Sequence, residues 1–297
     1  MPFITEHPSF SALRLANNGL GITGGKIIAE ALQRAVTPNL KSVICGRNRL
    51  ENGSAPEWAK AFKVHKGLEE IRLYQNGIRM EGVEALVDGL RSCPGLRVLD
   101  IQDNTISEKG SEPKGCRALA SALPSWPHLQ ELNLSDCLLK PDGGLALATA
   151  FSKGHNREME ILKLAYGEFD HRAIDLIALA IKDFWPNVTR VELNGNIGDA
   201  EDECIQNVRD ALAGYGREDA LDELDDMMDP AEFEEEEAEE HPAVATAEEL
   251  DRQEVEAEAR TDPAKTPSVA TTLKETAKDA ADDLADLMSK VSLGEKP

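Results

Sequence analysis

The chain has 297 residues and a formal net charge of −23, and only 4% of its residues are aromatic. This acidity disfavours binding to nucleic acid or to an anionic membrane surface, because phosphate groups are bound by clustered Lys and Arg. No apolar run approaches the roughly 20 residues of a membrane-spanning helix, so we expect no membrane span.

Seven segments in the first two thirds of the chain share the pattern L-x-x-L-x-L-x-x-N-x-L. They are residues 10–20, 40–50, 68–78, 96–106, 129–139, 159–169 and 188–198. The Asn position, which we call the ladder position, is Asn18, Asn48, Asn76, Asn104 and Asn196 in five of them. Cys137 and Gly167 occupy it in the fifth and sixth segments.

Amphipathic stretches such as 24–35, 54–65 and 82–93 lie between these segments and have the apolar spacing of helices. A strand and a full helix in about 28 residues is typical of the long class of leucine-rich repeat. The predicted fold class is α/β, a ribonuclease-inhibitor-like horseshoe with a concave parallel sheet and convex helices. We expect leucines such as Leu13, Leu15 and Leu20 in the core, and ladder amides hydrogen-bonded to otherwise unpaired backbone groups.

Composition divides the chain into three predicted parts: a solenoid over 1–217, an acidic disordered tail over 218–265, and an amphipathic helix over 266–297. Residues 218–297 contain 27 acidic and 7 basic side chains. The run 218–240 is either a solubilising segment or one that steers a basic partner. The last part also fits a nuclear export signal, with a helix that docks on a partner or on the solenoid as the alternative. The residues with the export spacing are Leu284, Leu287, Val291 and Leu293.

The sequence offers no catalytic or metal-binding motif. The six histidines lack metal-ligand spacing, and the glycine-rich run 19–26 departs from a phosphate-binding loop at Leu20 and Ile27. The five cysteines are scattered and indicate reduced thiols. We therefore predict a protein-binding surface, formed by the two residues before each ladder Asn and by outward-facing strand sites. The strand sites are Arg14, Ile44, Arg72, Asp100, Asn133, Lys163 and Glu192.

Several runs are not required by the repeat and resemble the fungal Ran GTPase-activating protein family. The resemblance covers about residues 3–240 and keeps the order and spacing of the runs. They are LANNGLG (15–21), VICGRNRLENGS (43–54), LYQNGIR (73–79), LDIQDNT (99–105), LNLSDCLL (132–139), VELNGN (191–196) and LDELDD (221–226).

The resemblance implies a stimulator of GTP hydrolysis by the GTPase Ran, not an enzyme acting alone. Ran hydrolyses GTP slowly because its catalytic Gln and the attacking water are poorly held. In this family no arginine enters the site; instead an Asn beside the ladder position orients the Gln of Ran. The matching residue here is Asn17.

Further expectations follow from the same resemblance. Arg47, Arg49, Gln75 and Asp103 would contact Ran in its GTP form, with a Ran-binding protein as a further partner. GTP and Mg²⁺ would be held by Ran, so no cofactor is expected in this chain. We expect a monomer that acts in nucleocytoplasmic transport from the cytoplasm, with perinuclear and shuttling pools as further options.

The chain departs from the family at its start, because family members begin with about three further repeats. The resemblance therefore implies missing N-terminal repeats and leaves an inactive fragment of the activator as one alternative. A non-catalytic repeat scaffold is another, although it would need neither ANNGL nor GRNRLENGS. An acidic chaperone for basic proteins is a third, and the tail alone would serve it.

Overall fold

A computed structural model describes residues 9–35, 39–107 and 112–233. Seven three-residue strands form one parallel sheet in chain order. Equivalent residues of successive repeats face each other, so that Leu13 lies beside Val43 and Val43 beside Ile71. This architecture confirms the predicted α/β leucine-rich-repeat solenoid. The strands are β1 Ala12–Arg14, β2 Ser42–Ile44, β3 Glu70–Arg72, β4 Val98–Asp100, β5 Glu131–Asn133, β6 Ile161–Lys163 and β7 Arg190–Glu192.

One helix follows each strand and packs against the helices of the neighbouring repeats. The three helices predicted by residue range begin two or three residues earlier than expected, because each starts directly after the loop that carries the ladder residue. Within the described ranges, no helix is long and apolar enough to cross a membrane. The helices are α1 Gly21–Arg34, α2 Glu51–Val64, α3 Met80–Leu90, α4 Lys114–Ala122, α5 Pro141–Phe151, α6 His171–Phe184 and α7 Glu203–Ala213.

The core lies between the sheet and the helices. The central residue of every strand is buried, and Trp58, Trp126 and Trp185 are fully buried on the helix side. Leu15 and Leu20, which were expected in the core, are only half-buried because β1 is the edge strand of the sheet among the described residues. This continuous core fixes the loops that follow the strands relative to one another.

Asn48, Asn76, Asn104 and Asn196 hydrogen-bond the backbone of two adjacent repeats. The Nδ2 of Asn48 donates to the carbonyl oxygens of Leu15, Cys45 and Gly46 at 2.7, 3.1 and 3.0 Å, and its Oδ1 accepts from the Asn18 amide at 2.9 Å. The other ladder asparagines repeat these bonds in whole or in part. Cys137 makes one such bond, from Sγ to the oxygen of Ile101 at 3.2 Å. Amides that would otherwise be buried without partners are thus satisfied.

Residues 218–230, which we call the C-terminal strap, pair with the last repeat. Leu221 lies parallel to Val191, and Met228 lies parallel to Ile197. The carboxylate of Asp222 accepts from the backbone amides of Leu193 and Asn194 at 2.8 and 3.2 Å.

The compact unit therefore ends at Pro230 and not at the predicted boundary, residue 217. The strap has an acidic composition, but its pairing uses backbone groups and one carboxylate, which composition does not reveal. The acidic run from 234, the helix predicted over 266–297 and the export pattern Leu284, Leu287, Val291 and Leu293 lie outside the described residues.

Candidate functional site

The residue before each ladder position has a left-handed backbone in all seven repeats, and we call this set the rim row. Its members are Asn17, Arg47, Gln75, Asp103, Asp136, Tyr166 and Gly195, with φ of 61, 56, 53, 53, 54, 55 and 71°. All except Gly195 are exposed. Each of these six donates its backbone N–H to the loop of the next repeat at 2.8 to 3.0 Å, which aligns the side chains along one edge of the sheet.

A left-handed backbone costs a residue with a Cβ about 1–2 kcal/mol, with Asn and Asp tolerating it best. Such strain persists only where surrounding structure imposes it, and it concentrates at functional sites. Here each of the six non-glycine rim residues is held by its backbone hydrogen bond to the next repeat. The rim row is therefore a preformed set of side chains whose chemistry differs from repeat to repeat.

Asn17 and Asn18 are adjacent but differ in the use of their side chains. The Nδ2 of Asn18 donates to the oxygens of Leu15 and Ala16 at 2.8 and 3.0 Å. Asn17 is exposed, and its backbone N–H donates to Gly46 at 3.0 Å. Among the described residues its side-chain amide has no hydrogen-bond partner. Asn17 can therefore offer a donor and an acceptor to another molecule.

Positive charge lies beside Asn17. Arg47 is the next member of the rim row, and Arg49 follows the ladder residue Asn48 in a second left-handed position at φ 54°. Both are exposed, and within the part of the chain that the structure describes neither forms an ion pair. The ring of Tyr74 lies across Gly46, where an added Cβ would come within 2.4 Å of it. These groups can orient a ligand and bring positive charge to it.

The sheet surface, in contrast, carries a network of ion pairs centred on Arg72. Arg72 donates to both oxygens of Glu131 at 2.9 and 2.8 Å, to Glu70 at 2.8 Å and to Asp100 at 3.3 Å. The Glu131 hydrogen bonds raise the pKa of Arg72, and burial raises the pKa of Asp100.

Two of the strand sites that were expected to face a partner are hidden. Asp100 and Asn133 are 6% and 5% exposed, and the amide of Asn133 donates to Gln102 at 3.1 Å. The sequence pattern gives direction along a strand but does not show that neighbouring strand residues satisfy one another. Asn17, Arg47 and Asp103 of the rim row, by comparison, have exposed side chains.

Near the later repeats, two residues on or beside the rim row, Tyr166 and Leu138, were not predicted from the sequence as partner contacts. An open groove of about 660 Å³ runs from Arg49 and Gln75 past Asp103 and Asp136 to Leu138 and Tyr166. Leu138 and Tyr166 belong to the two repeats in which Cys137 and Gly167 replace the ladder Asn. Their position next to these replacements is the sequence signal that could have found them.

A leucine-rich-repeat family model matches residues 127–148. Ran GTPase-activating protein 1 of Saccharomyces cerevisiae is 35% identical over 214 residues, which cover 68% of this chain and 52% of the yeast protein. The chain belongs to the Ran GTPase-activating protein family. It spans about half the length of this relative.

Animal members of the family match shorter parts of the chain. The Ran GTPase-activating protein of Drosophila melanogaster is 44% identical over 98 residues, 30% of this chain and 16% of its own length. Ran GTPase-activating protein 2 of Caenorhabditis elegans is 48% identical over 81 residues, 25% of this chain and 8% of its own.

The rim of this family member holds positioning groups and no evident nucleophile. All five cysteines are buried, and burial raises the pKa of the Cys45 thiol to about 12. Among the described residues, no three His, Cys, Asp or Glu side chains are grouped as metal ligands. The arrangement can hold amide, guanidinium and carboxylate groups against a partner.

Proposed function

We propose that this chain stimulates GTP hydrolysis by the GTPase Ran, with Asn17 as the residue that orients the catalytic Gln of Ran. One observation carries the proposal beyond family membership. Within the described residues, the fold uses the side-chain amide of Asn18 and leaves that of Asn17 exposed and without a hydrogen-bond partner, on a left-handed turn. A fixed and unsatisfied amide is suited to hold another amide.

The chemistry is one of orientation. The Oδ1 of Asn17 can accept a hydrogen bond from the Gln amide of Ran while its Nδ2 donates one, and no charge is added to the site. GTP hydrolysis by small GTPases is limited by the positioning of this Gln and of the attacking water. Positioning alone can change rates by large factors, and misplacement by about 1 Å can cost about 100-fold.

The neighbouring rim residues fit the role of partner contacts. Arg47, Arg49 and Gln75 are exposed on the same edge as Asn17, and Asp103 follows in the next repeat. We propose that these four residues contact Ran in its GTP form, with a Ran-binding protein as an additional partner. GTP and Mg²⁺ belong to Ran. We further propose a monomer working in the cytoplasm, including a perinuclear or shuttling pool.

The test is single-turnover GTP hydrolysis by Ran with increasing amounts of the 297-residue chain. Asn17→Gly is the main variant, because Gly accepts the left-handed backbone and only the amide is lost. Asn17→Asp keeps the shape, removes the donor and adds a charge. We expect the maximal rate to fall at least about 100-fold with either, as when one positioning donor is removed from an active site.

Asn18→Ala is the matched control, because among the described residues its amide donates within its own repeat, to the oxygens of Leu15 and Ala16, and we expect stimulation to persist. Absence of stimulation by the unsubstituted chain would end the proposal. Tight binding of Ran without stimulation would instead favour a non-catalytic scaffold or an inactive form of the activator.

A further inference from the structure

The rim row changes sign along its length. Its first members, Asn17 and Arg47, lie with Arg49 in a neutral to positive half, whereas Asp103 and Asp136 form a negative half. Beyond them the Tyr166 hydroxyl donates to Asp226 of the C-terminal strap at 2.9 Å, which brings another carboxylate to this half. Two ends of one edge therefore present opposite charge.

The carboxylates of the negative half lack counter-ions. Within the described ranges, Asp103 has no side-chain partner, and Asp136 accepts only a 3.4 Å bond from the Nε2 of Gln102. On the sheet, by comparison, Glu70 and Glu131 both pair with Arg72. Charge that the fold does not neutralise projects its field outward and attracts groups of the opposite sign.

Apolar surface accompanies these carboxylates. Leu138 and Tyr166 line the same groove and are 37% and 46% exposed. Exposed apolar side chains framed by polar groups mark interaction sites, and Tyr is enriched among the residues that contribute most to binding. Lys and Arg side chains suit such a surface, because their apolar stems can pack on it while their charged ends reach carboxylates.

We propose that Asp103, Asp136, Leu138 and Tyr166, the acidic rim, bind a Lys- or Arg-bearing surface of the GTPase away from its nucleotide. This inference rests on the proposed function and adds a second contact to it. The groove is continuous from Arg49 and Gln75 to the acidic rim, so one partner can occupy both.

The distance between Asn17 and the acidic rim is short enough for one partner to contact both. Adjacent strands are about 4.8 Å apart, so Asp136 lies about four spacings, or roughly 19 Å, from Asn17 along the sheet. A domain of about 150 residues has a radius of gyration of about 15 Å and covers that span. The basic surface of the GTPase should therefore lie roughly 20 Å from the Gln that Asn17 would orient.

The test uses the double variant Asp103→Asn with Asp136→Asn. Asn tolerates the left-handed backbone as well as Asp does, so charge is removed without new strain. The control is Asp183→Asn with Glu201→Gln, which makes the same charge change at exposed sites outside the rim row. Both are compared with the unsubstituted chain by single-turnover hydrolysis on Ran and by binding to Ran holding a non-hydrolysable GTP analogue, from 50 to 300 mM salt.

We expect the acidic-rim variant to need about 10-fold more protein for half-maximal stimulation, with an unchanged maximal rate and a weaker salt dependence. The control should match the unsubstituted chain. If the unsubstituted chain stimulates Ran and the acidic-rim variant equals it in both assays, the inference is wrong and the proposed function stands. If the unsubstituted chain neither stimulates nor binds Ran, both fail together. A lower maximal rate at unchanged half-saturation would also overturn the inference, since it would place the carboxylates in the catalytic step.

Discussion

The ladder position and the rim row are adjacent in the sequence of every repeat, but their side chains differ in burial and in hydrogen bonding. Ladder amides such as that of Asn76 are buried and hydrogen-bonded on several sides, whereas Gln75 beside it is exposed. One position holds the solenoid together, and the position before it is held in place and left available. The difference shows why a repeat protein can vary its binding surface without losing its fold.

The largest effect should follow removal of a central ladder amide. Asn76→Ala leaves the oxygens of Cys45 and Leu73 with fewer donors and the Asn48 amide without its acceptor. Each buried group left unsatisfied costs about 1–3 kcal/mol, so we expect a loss of about 4 kcal/mol in the free energy of unfolding.

Urea unfolding followed by circular dichroism measures this loss. Gln75→Gly is the matched control, because Gly fits the left-handed φ of 53° and the lost side chain is exposed. It should change stability by less than about 0.5 kcal/mol. Equal losses in the two variants would remove the distinction between ladder and rim.

A second test introduces Asn, the usual ladder residue, in the sixth repeat, where Gly167 replaces it. Gly167→Asn would place a Cβ 2.8 Å from the ring of Phe169 and 3.0 Å from the Leu164 oxygen. We expect a loss of about 2 kcal/mol in unfolding free energy, within the usual range for overpacking. A gain in stability would mean that the sixth repeat can accept Asn at the ladder position and that its structure does not require Gly167.

Part of this structure can be predicted from the sequence. The repeat spacing is sufficient for the seven strands, their order and the ladder bonds, because buried positions recur with the repeat and constrain residue type. It could not predict that Arg72, Asp100 and Glu131 neutralise one another, since that depends on side-chain contacts across strands 28 to 59 residues apart. It also did not indicate that Leu138 and Tyr166 are exposed, because apolar residues near a repeat consensus suggest burial.

The next effect concerns the last repeat, where the carboxylate of Asp222 accepts hydrogen bonds from backbone amides that would otherwise face a further repeat. Asp222→Ala leaves the amides of Leu193 and Asn194 without their acceptor, and we expect a loss of about 1–2 kcal/mol in unfolding free energy. Thermal unfolding measures it. An unchanged melting temperature would show that the C-terminal strap is held by its backbone pairing alone.

The same residue predicts a pH dependence. Burial raises the pKa of Asp222 above its ordinary value, although the two backbone hydrogen bonds oppose this. The folded state therefore keeps the Asp222 proton to higher pH than the unfolded state, whose Asp pKa is about 3.9. Stability from this group is present below that pH and is lost as pH rises through the folded pKa. The difference in unfolding free energy between the unsubstituted chain and Asp222→Ala, measured from pH 3.5 upward, should narrow as pH rises; a difference that widens with pH would contradict the sign.

The smallest expected change carries the most weight for function. Asn17→Gly removes an exposed amide that bonds nothing among the described residues, at a backbone angle Gly adopts freely, so stability should stay within about 0.5 kcal/mol. Asn18→Ala loses two hydrogen bonds to its own loop and should cost about 1 kcal/mol. Urea unfolding of both, beside the hydrolysis assay, separates the roles. If Asn17→Gly were the more destabilising of the two, its loss of stimulation could be ascribed to a damaged loop. The distinction between rim row and ladder position would then not hold for Asn17 and Asn18, the pair on which the proposed function depends.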